Sequence, residues 1–372
     1  MPVERVYRAT SRFRLQKYEK SATYRPTALR FTPNLRRINI FVIRIRIAAV
    51  NFRTIRFHTC NVMTEFGLIE QISKMFATIP ANGFEGIGDD CAVLPIGDEE
   101  SLVFTADMLA EGVHFLRRAT SPEELGRKSL AVNLSDVASM GARPVATLLS
   151  LAIPRDLPQG WIERFMEGYR DLSTQHGVAL IGGDTTASDS GLIVNVTAIG
   201  RTQSQHLKRR SDARPGDLIA VSGPLGESGA GLRDILNGQY DTPLAHIHRN
   251  PTPQVAEGIW LGSRPEVRAM MDISDGIASD LRHIMERSGV GAEVEIRQIP
   301  TSVDIETAAT AGEDYQLLLT IAPTKADTLL KEFEACFHKP LIPIGRITAG
   351  NRLEWLDHGT PLDVEWQGFR HY

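Results

Sequence analysis

The sequence predicts a two-domain fold of α/β and α+β class. Three observations carry that expectation. At 372 residues the chain is longer than one ordinary hydrophobic core absorbs. From Met63 onward, strand-like apolar runs alternate with helical periods. A basic stretch with Pro and Gly at 208–216 then interrupts the alternation, which starts again after it. A composition of 42% hydrophobic and 23% charged residues is that of a soluble globular chain. No run reaches the roughly 18–20 uncharged apolar residues of a membrane span, and the most apolar early run, 40–50, is broken by Arg44 and Arg46. Cys60, Cys91 and Cys336 lie far apart without a C-x-x-C pair, so neither a disulfide framework nor a zinc knuckle is expected, and a reducing cytoplasm is the expected location.

The elements follow in order. Residues 1–62 hold 14 Lys/Arg against 2 acidic residues, which leaves 27 basic and 43 acidic residues for 63–372. This extension has the composition of a targeting peptide or a nucleic-acid-binding arm, and is favoured here as sequence outside the working protein. Phe66, Ile69, Ile72 and Phe76 then mark a first amphipathic helix. A strand is expected over 102–106. Ser121-Pro122-Glu123-Glu124 supplies an N-cap, a proline at the first helical position and first-turn acids, opening a helix towards Gly141. Further expectations are a strand at 145–153, a helix at 159–176, a short buried strand at 178–181 ending in Gly182-Gly183-Asp184, and a strand at 192–200. The first domain is set at 63–207 and the second at 211–372. The second carries strands at 218–222, 270–273 and 315–321 and helices at 226–237 and 276–288.

Five short motifs place Asp at expected turns or strand ends, beside Gly, Ser or Thr: Gly88-Asp89-Asp90, Thr105-Ala106-Asp107, Leu134-Ser135-Asp136, Gly183-Asp184-Thr185-Thr186 and Asp272-Ile273-Ser274-Asp275-Gly276. Each alone is an ordinary turn or N-cap residue. Together they suggest convergence, and two carboxylates at 4 Å repel by about 4 kcal/mol at an effective dielectric near 20, so a cation must compensate. Hard oxygen ligands without a His/Cys cluster select Mg²⁺, or less often Mn²⁺ and Ca²⁺, and Mg²⁺ keeps positions for water and phosphate oxygens, which points to a nucleotide. The G-x-x-x-x-G-K-[ST] phosphate loop, the complete G-x-G-x-x-G fingerprint and the H-R-D/D-F-G pair are all missing.

In their order along the chain, Gly86-Ile87-Gly88-Asp89-Asp90, Glu111-Gly112-Val113-His114-Phe115, Asn133-Leu134-Ser135-Asp136 through Gly141-Ala142, Gly182-Gly183-Asp184-Thr185-Thr186, Asp272-Ile273-Ser274-Asp275-Gly276, Gly312-Glu313-Asp314-Tyr315 and Glu365-Trp366-Gln367-Gly368 resemble the motifs of the thiamine-monophosphate kinases. The resemblance spans 66–372. It implies the aminoimidazole-ribonucleotide (AIR) synthetase-like fold: an N-terminal domain that forms a β-barrel-like core with a second copy in a homodimer, and a C-terminal α+β domain. It implies transfer of the ATP γ-phosphoryl group to thiamine monophosphate, with several Mg²⁺ ions and with neither nucleic acid nor membrane as partner. By motif match, Asp90, Thr105, Ala106, Asp107, Asp136, Asp184, Asp272 and Asp275 surround the metals, with Asp107, Asp136 and Asp184 central to catalysis. Gly183, Asp184, Arg210 and Ser274 contact ATP, and His114, Glu313 and Trp366 contact the thiamine substrate. Ala106 departs from the hydroxyl residue often found at that point in the family, so only its backbone carbonyl can contribute.

Alternatives stay open at several positions. Asp89 is a ligand or a turn cap. The glycines at 223–231 cradle phosphate or permit close packing of helix on strand. Taken alone, His114 is a satisfied half-buried histidine and Trp366 a packing residue, although an indole can stack on a cationic ring. Within the superfamily, AIR synthetase stands as a rival, while selenophosphate synthetase and a hydrogenase-maturation factor are disfavoured. Cys91 is the only cysteine near an N-terminal glycine motif, and the chain ends Gly368-Phe369-Arg370-His371-Tyr372 without one.

Overall fold

The computed structural model describes residues 65–369. The basic extension at 1–62 and the start at Met63 lie outside them, as does the side chain of Phe66. Helix α1 (Glu65–Phe76) comes first. Strands β1 (Ala92–Ile96) and β2 (Glu100–Ala110) precede α2 (Pro122–Ser139). They are followed by β3 (Arg143–Pro154), α3 (Trp161–His176), β4 (Ala179–Ser188) and β5 (Ile193–Gln203). The five strands form one mixed sheet in the order β1-β2-β5-β3-β4, with only β3 and β4 parallel.

Helix α2 begins where the local chemistry requires it. Ser121 accepts from the Glu124 N–H at 3.2 Å, and the Glu124 carboxylate accepts from the Ser121 N–H at 2.9 Å, a complete capping box ahead of Pro122. Its contact with α3 is close enough to need glycine on both sides. A Cβ on Gly126 would lie 1.9 Å from the Phe165 carbonyl oxygen, and one on Gly168 2.0 Å from that of Glu123. The two helices cover one face of the sheet with a core that includes Leu125, Leu134, Leu149, Phe165, Tyr169, Val194 and Val196. The other face, carrying Ala106, Met108 and Leu148, is left open.

After 208–216 the chain continues through β6 (Leu218–Val221), α4 (Glu227–Leu236), α5 (Pro243–Arg249) and α6 (Val255–Gly262). Next come β7 (Val267–Asp272), α7 (Ile277–Ser288), β8 (Gly291–Glu295), α8 (Ile305–Thr310) and β9 (Leu317–Ile321). The chain closes with α9 (Ala326–Phe337), β10 (Ile342–Thr348), β11 (Leu353–Asp357) and β12 (Thr360–Pro361). Here the strand order is β12-β11-β8-β10-β6-β9-β7, again mixed through the parallel β8/β11 pair. Helix α7 seals one face through Ile277, Leu281 and Ile284, and α9 seals the other through Leu329 and Phe333.

The two-domain α/β arrangement is therefore present, as two sheets on either side of 208–216. One expectation needs correction. The strand placed at 178–181 runs on through Gly182-Gly183-Asp184 to Ser188 and is exposed for nearly its whole length, because β4 is an edge strand and its polar and glycine residues meet no core. The first sheet is open, and no closed barrel exists among the described residues. No described helix is long and apolar enough to cross a membrane.

Candidate functional site

The site grows out of α2. Fourteen of its 18 residues are buried, yet along it a polar side chain reaches a different neighbour at nearly every turn. Asn133 Oδ1 accepts from the Asp107 N–H at 3.2 Å. Ser135 donates to Asp272 at 2.5 Å, across to the second sheet. Asp136 accepts from Thr105 at 2.5 Å, and Ser139 donates to Asp90. Asp107 is held on β2 on the helix-covered face of the sheet, where its carboxyl interacts with that of Asp136.

Four carboxyl groups, Asp90, Asp107, Asp136 and Asp272, thus sit within electrostatic reach of one another in a buried setting. Burial pushes Asp107 up to about 6, helped by Asp90 and resisted by the interaction with Asp136. Burial and then Asp107, Asp272 and Asp90 drive Asp136 well above the usual carboxylate range. Burial and Asp90 take Asp272 to about 8. Cys91 feels all four, its thiol pushed up by burial and then by Asp136, Asp90, Asp272 and Asp107. One cation offsets part of this charge: the Arg210 guanidinium pairs with Asp90, while the Arg210 N–H donates to Asp89 at 2.7 Å. Asp89 is accordingly tied to the turn at Arg210. Among the described residues no three His, Cys, Asp or Glu side chains enclose a metal ion by themselves.

A cavity of about 700 Å³ opens beside the cluster. Asp107, Asp136, Ser274 and Asp275 line one part of it, and His114, Lys128, His248 and Glu313 another; Leu116, Leu232, Leu236 and Phe369 supply apolar wall. His114 Nδ1 accepts from the Ala110 N–H at 3.0 Å. The Glu313 carboxylate lies 2.9 Å from Lys128 Nζ and 3.3 Å from His248 Nδ1. Burial would raise it, but Lys128 and His248 hold it below the usual range. Gly368 and Phe369 fold back onto Asp275, whose carbonyl accepts from the Phe369 N–H at 2.9 Å.

The remaining sequence-derived residues stand elsewhere. Asp107, Asp136 and Asp184 lie inside regular elements, not at the turns or strand ends expected. Asp184 pairs with Ser150, and on through Asn195 with Met108, which puts it on the open face of the sheet, three strands from β2 and opposite to Asp107. Its Oδ1 accepts from the Thr185 N–H at 2.9 Å. Gly183 takes φ +152° and has no room for a side chain, since a Cβ would meet the Leu149 carbonyl oxygen at 1.7 Å. The Ala106 side chain is exposed on that open face too. Trp366 packs edge-on against buried Trp355, ring centroids 5.0 Å apart, and does not line the cavity, although Gln367 next to it does. Sequence reasoning missed Lys128, His248, Ser135 and Ser139. For Lys128 a signal existed: it precedes Val132 and Asp136 at helical spacing, one stripe of α2.

Residues 88–202 match the family model of the AIR synthase related protein N-terminal domain, and 214–357 that of the C-terminal domain. The chain is 36% identical to a thiamine-monophosphate kinase of Haemophilus influenzae over 83% of this chain and 98% of the relative. It is 34% identical to that of Bacillus subtilis over 83% of this chain and 100% of the relative. Among solved structures, AaThiL complexed with AMPPCP and TMP superposes with a TM-score of 0.72 at 33% identity, covering 83% of this chain and 97% of that one. The Stenotrophomonas maltophilia thiamine-monophosphate kinase gives a TM-score of 0.65 at 37% identity, covering 80% and 98%. A hydrogenase maturation protein shares the fold alone, at 17% identity and a TM-score of 0.60.

Proposed function

Because the chain belongs to the thiamine-monophosphate kinase family of AIR synthase related proteins, we propose that it transfers the γ-phosphoryl group of ATP to thiamine monophosphate, giving thiamine diphosphate. The observation that carries this reading is the meeting of two unlike walls in one cavity: carboxylates in excess of their counter-charge at Asp107 and Asp136, and a charged Glu313 beside His114. The first suits phosphates brought in with a cation. The second suits an acceptor whose ring carries positive charge.

The donor set fits Mg²⁺. Every candidate ligand is an oxygen, and the side chains come as pairs, which leaves coordination positions for water and phosphate oxygens. Asp90, Asp107, Asp136, Asp272 and Asp275, with Thr105 and the Ala106 carbonyl, are the residues that would hold it. Bound there, it would neutralise charge on the transferring phosphoryl group. The chain itself then has to align the two substrates. The acceptor phosphate has a second pKa of about 6, so its attacking oxygen is already an anion at neutral pH and no general base is required. Ser274, at the cavity wall, is assigned to the nucleotide. Arg210 is assigned there as well and would share its guanidinium between phosphate and Asp90.

The uncovered sheet face supports the homodimer. Met108 and Leu148 are exposed on it, Leu180 and Ile181 are exposed on the edge strand β4, and two such sheets packed together would give the barrel-like core. Asp184 and Gly183 belong to β4, so their part in nucleotide binding depends on that assembly. Incubation with γ-labelled ATP and thiamine monophosphate tests the activity. Labelled thiamine diphosphate is the expected product; label released only as inorganic phosphate would overturn the assignment.

A further inference from the structure

The segment Gly312-Glu313-Asp314-Tyr315 is held in an unusual backbone shape. Glu313 (φ +64°) and Tyr315 (φ +49°) both occupy the left-handed region that non-glycine residues rarely adopt. The segment is clamped from several sides. The Glu313 N–H donates to the Ser274 carbonyl at 2.7 Å and the Tyr315 N–H to that of Ile273 at 2.9 Å. Asp314 accepts from the N–H groups of Gly226 at 2.7 Å and Ser228 at 3.3 Å, at the start of α4. These contacts fix the backbone. They do not by themselves fix the carboxylate of Glu313, which projects to the cavity wall.

Lys128 does that from the other domain. Its side chain is 1% exposed, and its ammonium donates to Glu313 Oε2 at 2.9 Å and to the His248 carbonyl at 3.3 Å. His248 completes the arrangement, with Nδ1 3.0 Å from Ser228 Oγ and 3.3 Å from Glu313 Oε2. Burial, followed by the Lys128 charge, lowers His248 to about 4, so at neutral pH the ammonium is the cation of this cluster. A buried lysine on a helix core is costly unless it is paired. Here the pairing spans 185 residues of sequence and joins α2 to the strained segment.

We propose that Lys128 is a positioning residue for acceptor recognition: by pairing with one oxygen of Glu313 it keeps that carboxylate ionised and aimed, so that its charge selects the cationic thiazolium ring. This rests on the reading of Glu313 as an acceptor contact. Lys128 touches neither substrate in the proposal, and its effect is confined to acceptors with a charged ring.

Steady-state kinetics of wild type, Lys128→Met, Lys128→Arg, Glu313→Gln and the double variant Lys128→Met/Glu313→Gln test it with two acceptors. One is thiamine monophosphate; the other is its neutral isostere, in which carbon replaces the thiazolium nitrogen. Lys128→Met is expected to raise KM for the cationic acceptor about tenfold, the scale of one charge-assisted contact, with kcat and the KM for ATP little changed. The neutral acceptor should show no such rise, and Lys128→Arg should restore most of the wild-type KM. Equal losses with both acceptors, or a loss in kcat alone, would overturn the proposal, because a general structural defect does not discriminate ring charge. If Lys128→Met does not fold, the double variant carries the test, since it buries no lone charge. Its cationic-acceptor KM should match that of Glu313→Gln, and a further rise beyond that would count against the coupling. An unchanged KM in Glu313→Gln would remove the proposal's premise, whereas thiamine diphosphate formation by wild type would still stand and so separates that failure from a failure of the kinase reading.

Discussion

Two ionisable clusters border one cavity, the first through Asp107 and Asp136 and the second through Lys128, His248 and Glu313, and solve the problem of buried charge in opposite ways. In the cluster of Asp90, Asp107, Asp136 and Asp272, acidic groups are gathered, and among the described residues Arg210 is the one cation paired with them. In the cluster of Lys128, Glu313 and His248, the ammonium meets its counter-charge at 2.9 Å and the imidazole stands 3.3 Å from the same carboxylate. The first is incomplete as a protein structure and, on the proposed reading, becomes favourable when a cation arrives with phosphate. The second is complete before any ligand binds and presents a finished surface to it. On the proposed assignment, pre-organisation falls to the acceptor side and incompleteness to the phosphate side of the same reaction.

The largest expected effect comes from breaking the incomplete cluster. Asp136→Asn keeps the shape but removes an anion, and turnover measured as ADP release at saturating Mg²⁺ should fall by about a thousandfold or more. The same change should raise the melting temperature of the metal-free protein, because burial and then the neighbouring carboxyls disfavour the ionised form of Asp136 there; near-normal turnover, or a lower melting temperature, would contradict this account of the cluster. Glu313→Gln should do the reverse to stability. It leaves the Lys128 ammonium buried without its partner and is expected to cost about 3 kcal/mol in denaturant unfolding at neutral pH. The sign of its pH dependence follows from the lowered Glu313 value: the stabilisation is full above the ordinary carboxylate range and is lost as pH falls through the folded value. The gap between wild type and Glu313→Gln should therefore close in acid, and a gap that persists there would mean that the ion pair is not its source. A smaller effect should separate the clusters by ligand. Adding Mg²⁺ to the nucleotide-free wild type should raise its melting temperature by a few degrees, by linkage, and leave Asp107→Asn/Asp136→Asn unmoved.

The two clusters also differ in how far the sequence revealed them. The carboxylates were legible because each sits in a short motif with Gly, Ser or Thr, and α2 was legible because its capping box is local chemistry within four residues. Lys128 was not legible as half of an ion pair, since its partner lies 185 residues away and nothing within α2 announces it. The same holds for Ser135, which meets Asp272 137 residues on. Strand β4 was cut short because Gly182-Gly183-Asp184-Thr185 has turn composition, and an edge strand with no core on either face gives no alternation to contradict that. Helix α5 carried a usable signal in Thr242-Pro243, a cap ahead of a first-position proline, but its seven residues are too few for a period to show. Asp184 shows the limit of motif reasoning: the spacing that marks it as part of a carboxylate set says nothing about which face of a sheet it occupies.

The claim that the unbalanced carboxylates serve a phosphate acceptor, through a cation, is most directly measured as ADP release by the wild-type protein across a Mg²⁺ series, with thiamine monophosphate, with free thiamine and with no acceptor. The account predicts ADP release that requires both Mg²⁺ and thiamine monophosphate and is near background in the other two series. Equal ADP release with free thiamine, or release independent of Mg²⁺, would contradict it.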